Sequence, residues 1–347
     1  MRRRVGSPDM EPLRVGVLGA ARISENAIVV PARLTGTRLV AVAARNRERA
    51  AAFAEGADVE RVLDSYQAVL DDPEVEAIYN PLPNGLHGPW NARAIAAGKH
   101  VLSEKPFASN AEEARQIKAQ AVGTPLVIAE AFHYLYHPMM FRIQEILSSG
   151  EIGELRSVEA TMLGNSPEND PRWELALAGG ALMDLGCYSI HAARTFGRFA
   201  GGAPALTSVR GGEHAGRPKV DEWATAELSY PSGITAVASC NMASDANEFR
   251  LRVAGTDGEI DAENFVLPQL DDRLNVRVSR DGRIASRVEH LGIKTSYTFQ
   301  LEAFTNAVRN GVPMLTDLDD AVANMEIIDA CYQGLGFGPR PQSRISD

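Results

Sequence analysis

The chain has 347 residues, is 45% hydrophobic and 23% charged, and carries a formal net charge of −10. That length suits about two domains of ~100–200 residues each, and the balance is that of a folded globular protein, not a disordered or fibrous one. The negative charge argues against nucleic acid and anionic membrane surfaces as partners, and no run approaches the ~18 consecutive apolar residues of a membrane span.

The start, MRRRVGSPDMEP, is basic and then polar. It lacks the apolar core of a secretory signal and reads as a loose tail. Residues 13–18, LRVGVL, are a short apolar strand running into GAARIS. Aligned on the dinucleotide fingerprint GxGxxG, Gly19 is the turn glycine, Ala21 takes the second position and Ser24 the third. The stretch follows a strand and opens a helix, so Gly19, Ala20, Ala21, Arg22 and Ile23 are candidates to cradle a pyrophosphate on backbone N–H groups. A tight strand-to-helix turn with no ligand would read the same way.

RLVAVAA (38–44) is the second strand. An NAD site carries an Asp or Glu at its end for the ribose 2′-hydroxyl. Here Ala44 is followed by Arg45, Asn46 and Arg47, with Arg49 one turn on. Arg45 and Arg49 suit a 2′-phosphate, so NADP is expected before NAD. The alternative is a solvated basic first turn, although cations near a helix N-terminus oppose its dipole.

Residues 45–57 are Ala-rich and helical, and VEAIYNPLP (75–83) is a third strand entering a loop broken by Pro81 and Pro83. GPWNARAIAAG (88–98) is helical with Gly98 as its stop. KHVLSEKPF brings the fourth strand. NAEEARQIKAQAVG (110–123) is a helix with Asn110 as N-cap, and PLVIAEAF (125–132) is the fifth strand. This βαβαβαβαβ alternation predicts an α/β Rossmann-type domain with a parallel, doubly wound sheet.

The end of the fourth strand, SEKPF (103–107), is unusual. Lysine is almost never fully buried without a partner, and proline has no N–H for a sheet ladder. Glu104, Lys105 and Pro106 are therefore expected just past the strand, at the carboxyl edge where open α/β sheets hold ligands.

Past residue 133 the rhythm changes. One helix (138–149) is followed by β-type runs at 155–163, 222–230, 234–242 and 248–256, and then by helices at 300–311 and 318–333. The middle pair is separated by PSG, a hairpin signal. An α+β unit with a large, mostly antiparallel sheet is expected, giving domains 10–132 and 133–347. In 222–230 and 234–242 one face reads apolar, with too few helices to cover it, which predicts a homodimer or homotetramer through that sheet. His133 and His137 share a helix spacing but have no further ligand nearby, so no metal site is expected. Cys187, Cys240 and Cys331 are odd in number and far apart, which suits a reducing cytoplasm without disulfides.

GGALMDLGCYSIHAAR (179–194) is the second unusual stretch. Asp184 and Tyr188 are four residues apart and share a helix face. Asp184 stands among apolar neighbours, and a buried acid needs a partner. Lys105 could be that partner; a loop-capping Asp beside a core Tyr is the alternative. His191 reads as a packed core histidine.

SEKPF, PLPNGLH (81–87), AEAFHYLYHP (129–138) and GGALMDLGCY together resemble the Gfo/Idh/MocA oxidoreductase family across about 13–335. The tyrosine at 188 resembles the subgroup of glucose–fructose oxidoreductase, dimeric dihydrodiol dehydrogenase and NADP-linked D-xylose dehydrogenase. Ala21 and Ala44 depart from the usual pattern. The resemblance implies a Rossmann domain plus an open-faced antiparallel sheet often buried in an oligomer. It implies cofactor contacts from Pro81, Leu82, Pro83, Asn84, His87, Glu104 and Lys105, with Pro106 often cis, which would aim Lys105. It also implies a small-molecule substrate of sugar, polyol or dihydrodiol type. The reaction expected is reversible hydride transfer between NADP and a carbinol carbon. Tyr188 is the first candidate to move the proton, with its pKa drawn down from ~10 by the Lys105 ammonium, and Asp184 orients Lys105. Lys105 as the proton donor is the alternative. His133, Arg172 and Trp173, next to the motifs, are candidates to read substrate hydroxyls. A catalytically silent NADP-binding sensor on the same fold is the rival function.

Overall fold

Five short apolar segments make the parallel sheet that the alternation predicts. They are β1 (Arg14–Leu18), β2 (Arg38–Ala43), β3 (Ala77–Asn80), β4 (His100–Ser103) and β5 (Ile128–Glu130), paired in the order β2-β1-β3-β4-β5. Their residues are buried almost end to end, as a sheet covered on both faces requires. The structure, a computed structural model, describes residues 11–280 and 282–345; the basic segment up to residue 10 lies outside them. Between the strands run α1 (Val30–Thr35, after a π-helical turn at Glu25–Val29), α2 (Arg47–Ala57), α3 (Tyr66–Asp71), α4 (His87–Ala96) and α5 (Ala111–Ala121). Asn110 caps α5 as expected, accepting from the Glu113 N–H at 2.9 Å. The strand order reverses between β1 and β3, which opens a crevice at their carboxyl ends.

After α6 (Pro138–Ser148) comes β6 (Leu155–Asn165). A π-helical turn at Leu182–Gly186 then leads into α7 (Cys187–Arg194). The remaining strands are β7 (Ala205–Glu213), β8 (Asp221–Ser229), β9 (Thr235–Asn241), β10 (Ala243–Gly255), β11 (Gly258–Ala262), β12 (Arg273–Arg280) and β13 (Arg283–His290). With β6 they form one eight-stranded sheet, β13-β12-β11-β10-β6-β9-β8-β7, antiparallel at every pairing except β6 with β9. The β8–β9 hairpin turns at PSG as the sequence predicts. The sequence did not show α3, β7 or β11–β13. Residues of β7 and β13 are mostly half-buried or exposed, so no strong apolar alternation marks them.

The last two helices return to the first sheet. Helix α8 (Ser296–Asn310) packs on α1, and α9 (Leu318–Gly334) on α5 and β5. Arg309 of α8 pairs with Glu76 beside β3 at 2.8 Å, and Arg115 of α5 with Glu326 of α9 at 2.9 Å. Helices α8 and α9 thus carry the chain back around the parallel sheet, and the two layers share the cleft between them.

The expectation of a bare apolar sheet face is corrected. Ala224, Ala226 and Leu228 of β8 and Ala236, Ala238 and Cys240 of β9 are buried, under α7 and the turn before it. Small side chains let the helix approach closely enough to cover them. The other face carries Thr225 and Glu227 on β8 and Val237 and Ser239 on β9, beside the partly exposed Trp223. It is mixed in polarity, not apolar.

Candidate active site

A cleft of about 1000 Å³ runs from the carboxyl edge of the parallel sheet to the inner face of the eight-stranded sheet. At its first end β1 stops at Leu18 and the chain turns at Gly19, whose φ of 97° disfavours any residue with a Cβ. The Gly19 N–H donates to the Ala43 carbonyl at 2.7 Å, which pins the turn to the end of β2. Among the described residues no acceptor meets the N–H groups of Ala20, Ala21, Arg22 or Ile23. Arg45 carries no ion pair there, and Arg49 is held only by the Ala20 carbonyl at 2.9 Å. Arg47, the third arginine, pairs with Asp64 instead. Across the cleft the Asn84 side-chain amide N is buried without an acceptor. Unspent backbone donors, an orphaned amide and two available guanidinium groups fit a dinucleotide with an additional phosphate. All fourteen residues expected to contact a cofactor line this cleft. His87 does so from a buried position, with its ring nitrogens against the carbonyls of Leu82 (2.5 Å) and Pro106 (2.7 Å). It ties the 81–87 loop to the Lys105–Pro106 peptide, which is cis. Burial pulls the His87 pKa down to about 4. Glu104 accepts from the Tyr79 hydroxyl at 2.8 Å, and burial raises its carboxyl above the usual range.

At the centre, Lys105 meets Asp184. The ammonium donates to the Asp184 main-chain carbonyl at 2.8 Å and to Oδ1 at 3.2 Å. The Asp184 Oδ2 accepts from Arg172 at 2.9 Å. Arg172 also grips Asp170 with two N–H groups, at 2.9 and 3.0 Å. Asp170 in turn pairs with Arg22 of the phosphate loop at 3.3 Å. Five alternating charges, Lys105–Asp184–Arg172–Asp170–Arg22, therefore run from the parallel-sheet layer into the other layer and back. Burial alone would push the Asp184 carboxyl up, but Lys105 and Arg172 hold it below the usual carboxylate range. Burial alone would lower the Lys105 ammonium, yet Asp184 wins and raises it. Both stay charged. Gly180 makes the geometry possible. Its N–H donates to the Arg172 carbonyl at 2.9 Å, its φ is 133°, and a methyl there would overlap the Asp221 carboxylate. Asp221 itself caps the turn before α7 by accepting from the Leu182 N–H at 2.6 Å.

Tyr188 lies beside this pair, with the Lys105 ammonium 5.1 Å from its ring centroid. Its hydroxyl bonds to His133 Nε2 at 3.2 Å, and His133 Nδ1 bonds to Ser296 at 2.8 Å. The expectation that Lys105 draws the phenol down is overturned. Burial, followed by Tyr297, Glu104, Cys187 and Asp184, raises Tyr188 well above 10. The ammonium faces the ring and not the oxygen, and the nearby acids oppose a phenolate. Burial also lowers His133 to about 3, so the imidazole is neutral.

Two expected substrate contacts are corrected. Trp173 is 1% exposed, gives its indole N–H to the Pro167 carbonyl at 3.1 Å and packs on His214, away from the cleft. His133 is fully buried behind Tyr188 and Tyr297 and reaches the cleft only through them. Arg172 does line the cleft. His191 is buried, stacked on Phe132 and bonded to Asp320. Sequence reasoning missed Asp170, Tyr66 and Tyr297. Asp170 before Pro171 is a capping signature and was legible. Tyr297 had no local signal, because its neighbours read only as an amphipathic helix.

Comparison with known proteins identifies two family models. Residues 13–132 match the one described as "Oxidoreductase family, NAD-binding Rossmann fold", and residues 140–261 match the GFO/IDH/MocA C-terminal domain. The chain is 32% identical to D-xylose 1-dehydrogenase (NADP(+)) 2 of Haloferax volcanii, over 93% of this chain and 97% of the relative. It is 31% identical to dTDP-3,4-didehydro-2,6-dideoxy-alpha-D-glucose 3-reductase of Actinomadura kijaniata, over 93% and 96%. The crystal structure of KijD10, a 3-ketoreductase from Actinomadura kijaniata in complex with NADP and TDP-benzene, is similar with a TM-score of 0.85 and 29% identity, covering 94% of this chain and 98% of that one.

The surroundings of Tyr188 generate one expectation. Difference absorbance between the wild type and Tyr188→Phe should show no phenolate from Tyr188 below pH 10 in the ligand-free protein. Ionisation of that tyrosine in the neutral range would refute the account of its environment.

Proposed function

The chain belongs to the Gfo/Idh/MocA family of NAD(P)-binding oxidoreductases, and from that premise we propose hydride transfer between NADP and a carbinol carbon of a sugar, polyol or dihydrodiol-type substrate. The observation that carries the reading is the Lys105–Asp184 pair beside Tyr188, in a cleft whose far end holds two available arginines. Residues 10–132 form the dinucleotide-binding unit in this reading, and 133–347 supply the substrate wall. When bound, NADP supplies or accepts the hydride.

The chain's own groups manage the oxygen. Tyr188, a neutral phenol, gives its proton to the carbonyl oxygen in reduction and takes one back in oxidation. Lys105 spends two donors on Asp184. Its third can meet the same oxygen, where a fixed positive charge stabilises developing alkoxide. Asp184 and Arg172 hold Lys105 in place. In their resting protonation states both Tyr188 and Lys105 are loaded to act in the reductive direction. Two neighbouring ionisable groups meet in one cleft, as hydride transfer to a carbonyl requires. This leaves a silent sensor without an observation of its own.

NADP over NAD is supported by Arg45 and Arg49 at the end of β2, and by the absence of any carboxylate from that turn in the cleft lining. No helix among the described residues is long and apolar enough to cross a membrane, and the three cysteines are unpaired. We place the protein in a reducing cytoplasm, assembled as a homodimer or homotetramer through the open face of the eight-stranded sheet.

Three outcomes are expected. By fluorescence titration NADP(H) binds several-fold tighter than NAD(H), and Arg45→Asp narrows or inverts the ratio; tighter NAD binding by the wild type would sink the assignment. Lys105→Met abolishes turnover while NADP binding survives, and Tyr188→Phe costs on the order of 10²–10⁴ in rate, the usual size of a general acid–base contribution. Full activity in Tyr188→Phe transfers the proton to Lys105. Light scattering at micromolar concentration gives the mass of a dimer or tetramer, and a monomer refutes the assembly.

A further inference from the structure

The Tyr188 hydroxyl has one hydrogen-bond partner among the described residues, Nε2 of His133 at 3.2 Å. His133 stands just past β5, at the same carboxyl edge of the parallel sheet where Lys105 stands past β4. It is fully buried and does not line the cleft. Its ring stacks on Tyr297 with centroids 3.7 Å apart, and its Nδ1 meets the Ser296 hydroxyl at 2.8 Å. Ser296 opens α8 and is also fully buried. An imidazole bonded at both nitrogens behind Tyr188 cannot read a substrate. It can set the state of the phenol in front of it.

A neutral imidazole carries one proton, on one of its two nitrogens, and His133 is neutral. Two proton arrangements of the chain Tyr188–His133–Ser296 are self-consistent. In the first, the phenol donates to Nε2, Nδ1–H donates to Ser296, and the Ser296 hydroxyl donates onward. Its onward acceptors are the Val266 carbonyl and the Gln269 side-chain oxygen, both at 3.4 Å. That is beyond the ~2.5–3.0 Å of a sound hydroxyl bond. In the second, Ser296 donates to Nδ1 at 2.8 Å and Nε2–H donates to the phenol oxygen at 3.2 Å. A hydroxyl donor at the first distance and an N–H donor at the second both fall in their usual ranges, the N–H range reaching ~3.2 Å. The second arrangement therefore satisfies both inner donors. The phenol's own proton is then turned away from the imidazole, toward the cleft that Tyr188 lines.

We infer that His133, locked by Ser296 with its proton on Nε2, is a positioning residue for Tyr188: it turns the phenol proton into the cleft and holds the oxygen once that proton has left. This role rests on the hydride transfer proposed above. In reduction the Tyr188 O–H bond breaks as an O–H bond forms on the substrate oxygen, while the hydride comes from NADPH. The Nε2–H bond stays intact, so the imidazole neither gains nor loses a proton. Its hydrogen bond strengthens as the phenolate forms, because a donor favours the charged form of its acceptor. The other tautomer would turn a bare lone pair toward that phenolate. The ionisable groups around the pair are Lys105 and Glu104 past β4, His137 beyond the His133 turn, Asp184 and Cys187 at the start of α7, and Tyr297 of α8. None of them hydrogen-bonds the phenol oxygen, so among the described residues His133 is its one direct donor.

Two measurements test the role, one of them without turnover. Nitrogen-15 spectra of the histidine-labelled, ligand-free protein in neutral buffer report which ring nitrogen carries the proton. The signals that vanish in His133→Gln should belong to an imidazole with a protonated Nε2 and a bare Nδ1. A proton on Nδ1, or on both nitrogens, overturns the inference. Kinetics follow oxidation by NADP⁺ of whichever of D-xylose, D-glucose, myo-inositol and trans-1,2-dihydronaphthalene-1,2-diol the wild type turns over, with each variant checked for unchanged NADPH titration. His133→Leu should lower kcat roughly 10–100-fold with little change in KM, the worth of one hydrogen bond to a charged group. It should also displace the rise of kcat with pH to higher pH, because the phenolate needed as base has lost its donor. His133→Gln, whose amide offers an N–H, should recover most of the loss, and Ser296→Ala should fall between. Unchanged kcat in His133→Leu overturns the inference, as do equal losses in the Leu and Gln variants with the pH profile in place. If the Nε2–H tautomer is found but the wild type transfers no hydride from any of the four compounds, the hydride-transfer reading fails and the placement of the phenol proton stands.

Discussion

A carboxylate buried between two cations holds this molecule's working parts together. Asp184 is 5% exposed and has Lys105 on one oxygen and Arg172 on the other. A charge in such a place is tolerated only when paired and hydrogen-bonded. Its partners come from different elements. Lys105 ends a strand of the parallel sheet, whereas Asp184 and Arg172 belong to the segment that joins the eight-stranded sheet to α7. Satisfying one carboxylate therefore brings the two layers together and places the cleft along their seam. Removing any member would leave an uncompensated charge behind, the costly way to break such a set.

From that centre the cleft divides its labour by composition. One end is made of turns: Gly19 opens the backbone toward a ligand, and the exits of β1 and β2 bring N–H groups and arginines to it. The other end is made of a sheet surface, where Met162 and Phe249 stand side by side because neighbouring strands place paired residues on one face. The first end suits a charged, elongated ligand held by donors. The charge chain ending at Arg22 reaches over both, so the turn at Gly19–Ile23 is linked electrostatically to Lys105.

Protonation follows from the same burial. The ammonium of Lys105 survives because Asp184 is there, and the phenol of Tyr188 stays neutral because acids and aromatic rings surround it. His133 stays neutral because burial, and then the nearby Lys105 charge, disfavours its protonated form. Three groups that would titrate freely in water are held each in one state, with a positive charge and a neutral proton donor side by side. That pairing suits an oxygen that becomes negative and is then protonated.

Much of this was legible in the residues themselves. Local alternation of apolar runs and helical stretches showed the parallel sheet, since strands buried on both faces must be apolar throughout. The position of SEKPF past a strand end marked the cleft, because lysine and proline cannot continue a central strand. A lone acid in the apolar segment 182–185 signalled a partner elsewhere. Other features depended on residues far apart in the chain. No local pattern says that α8 and α9 return to the parallel sheet, or that β6 runs parallel to β9. Nor does any say that the face of β8 and β9 expected to be bare is covered by α7. Arg172 was expected at a substrate and is held by Asp170 and Asp184; Trp173, one residue on, turns into the core. The pKa of Tyr188 went the opposite way from its sequence reading, because proximity to Lys105 was foreseen but the direction of approach was not. Tyr297, more than a hundred residues from Tyr188, meets it across a single imidazole. Side-chain periodicity is a property of neighbours in the chain and can be read there, whereas the orientation of a charge toward a ring or an oxygen is set only by packing between segments.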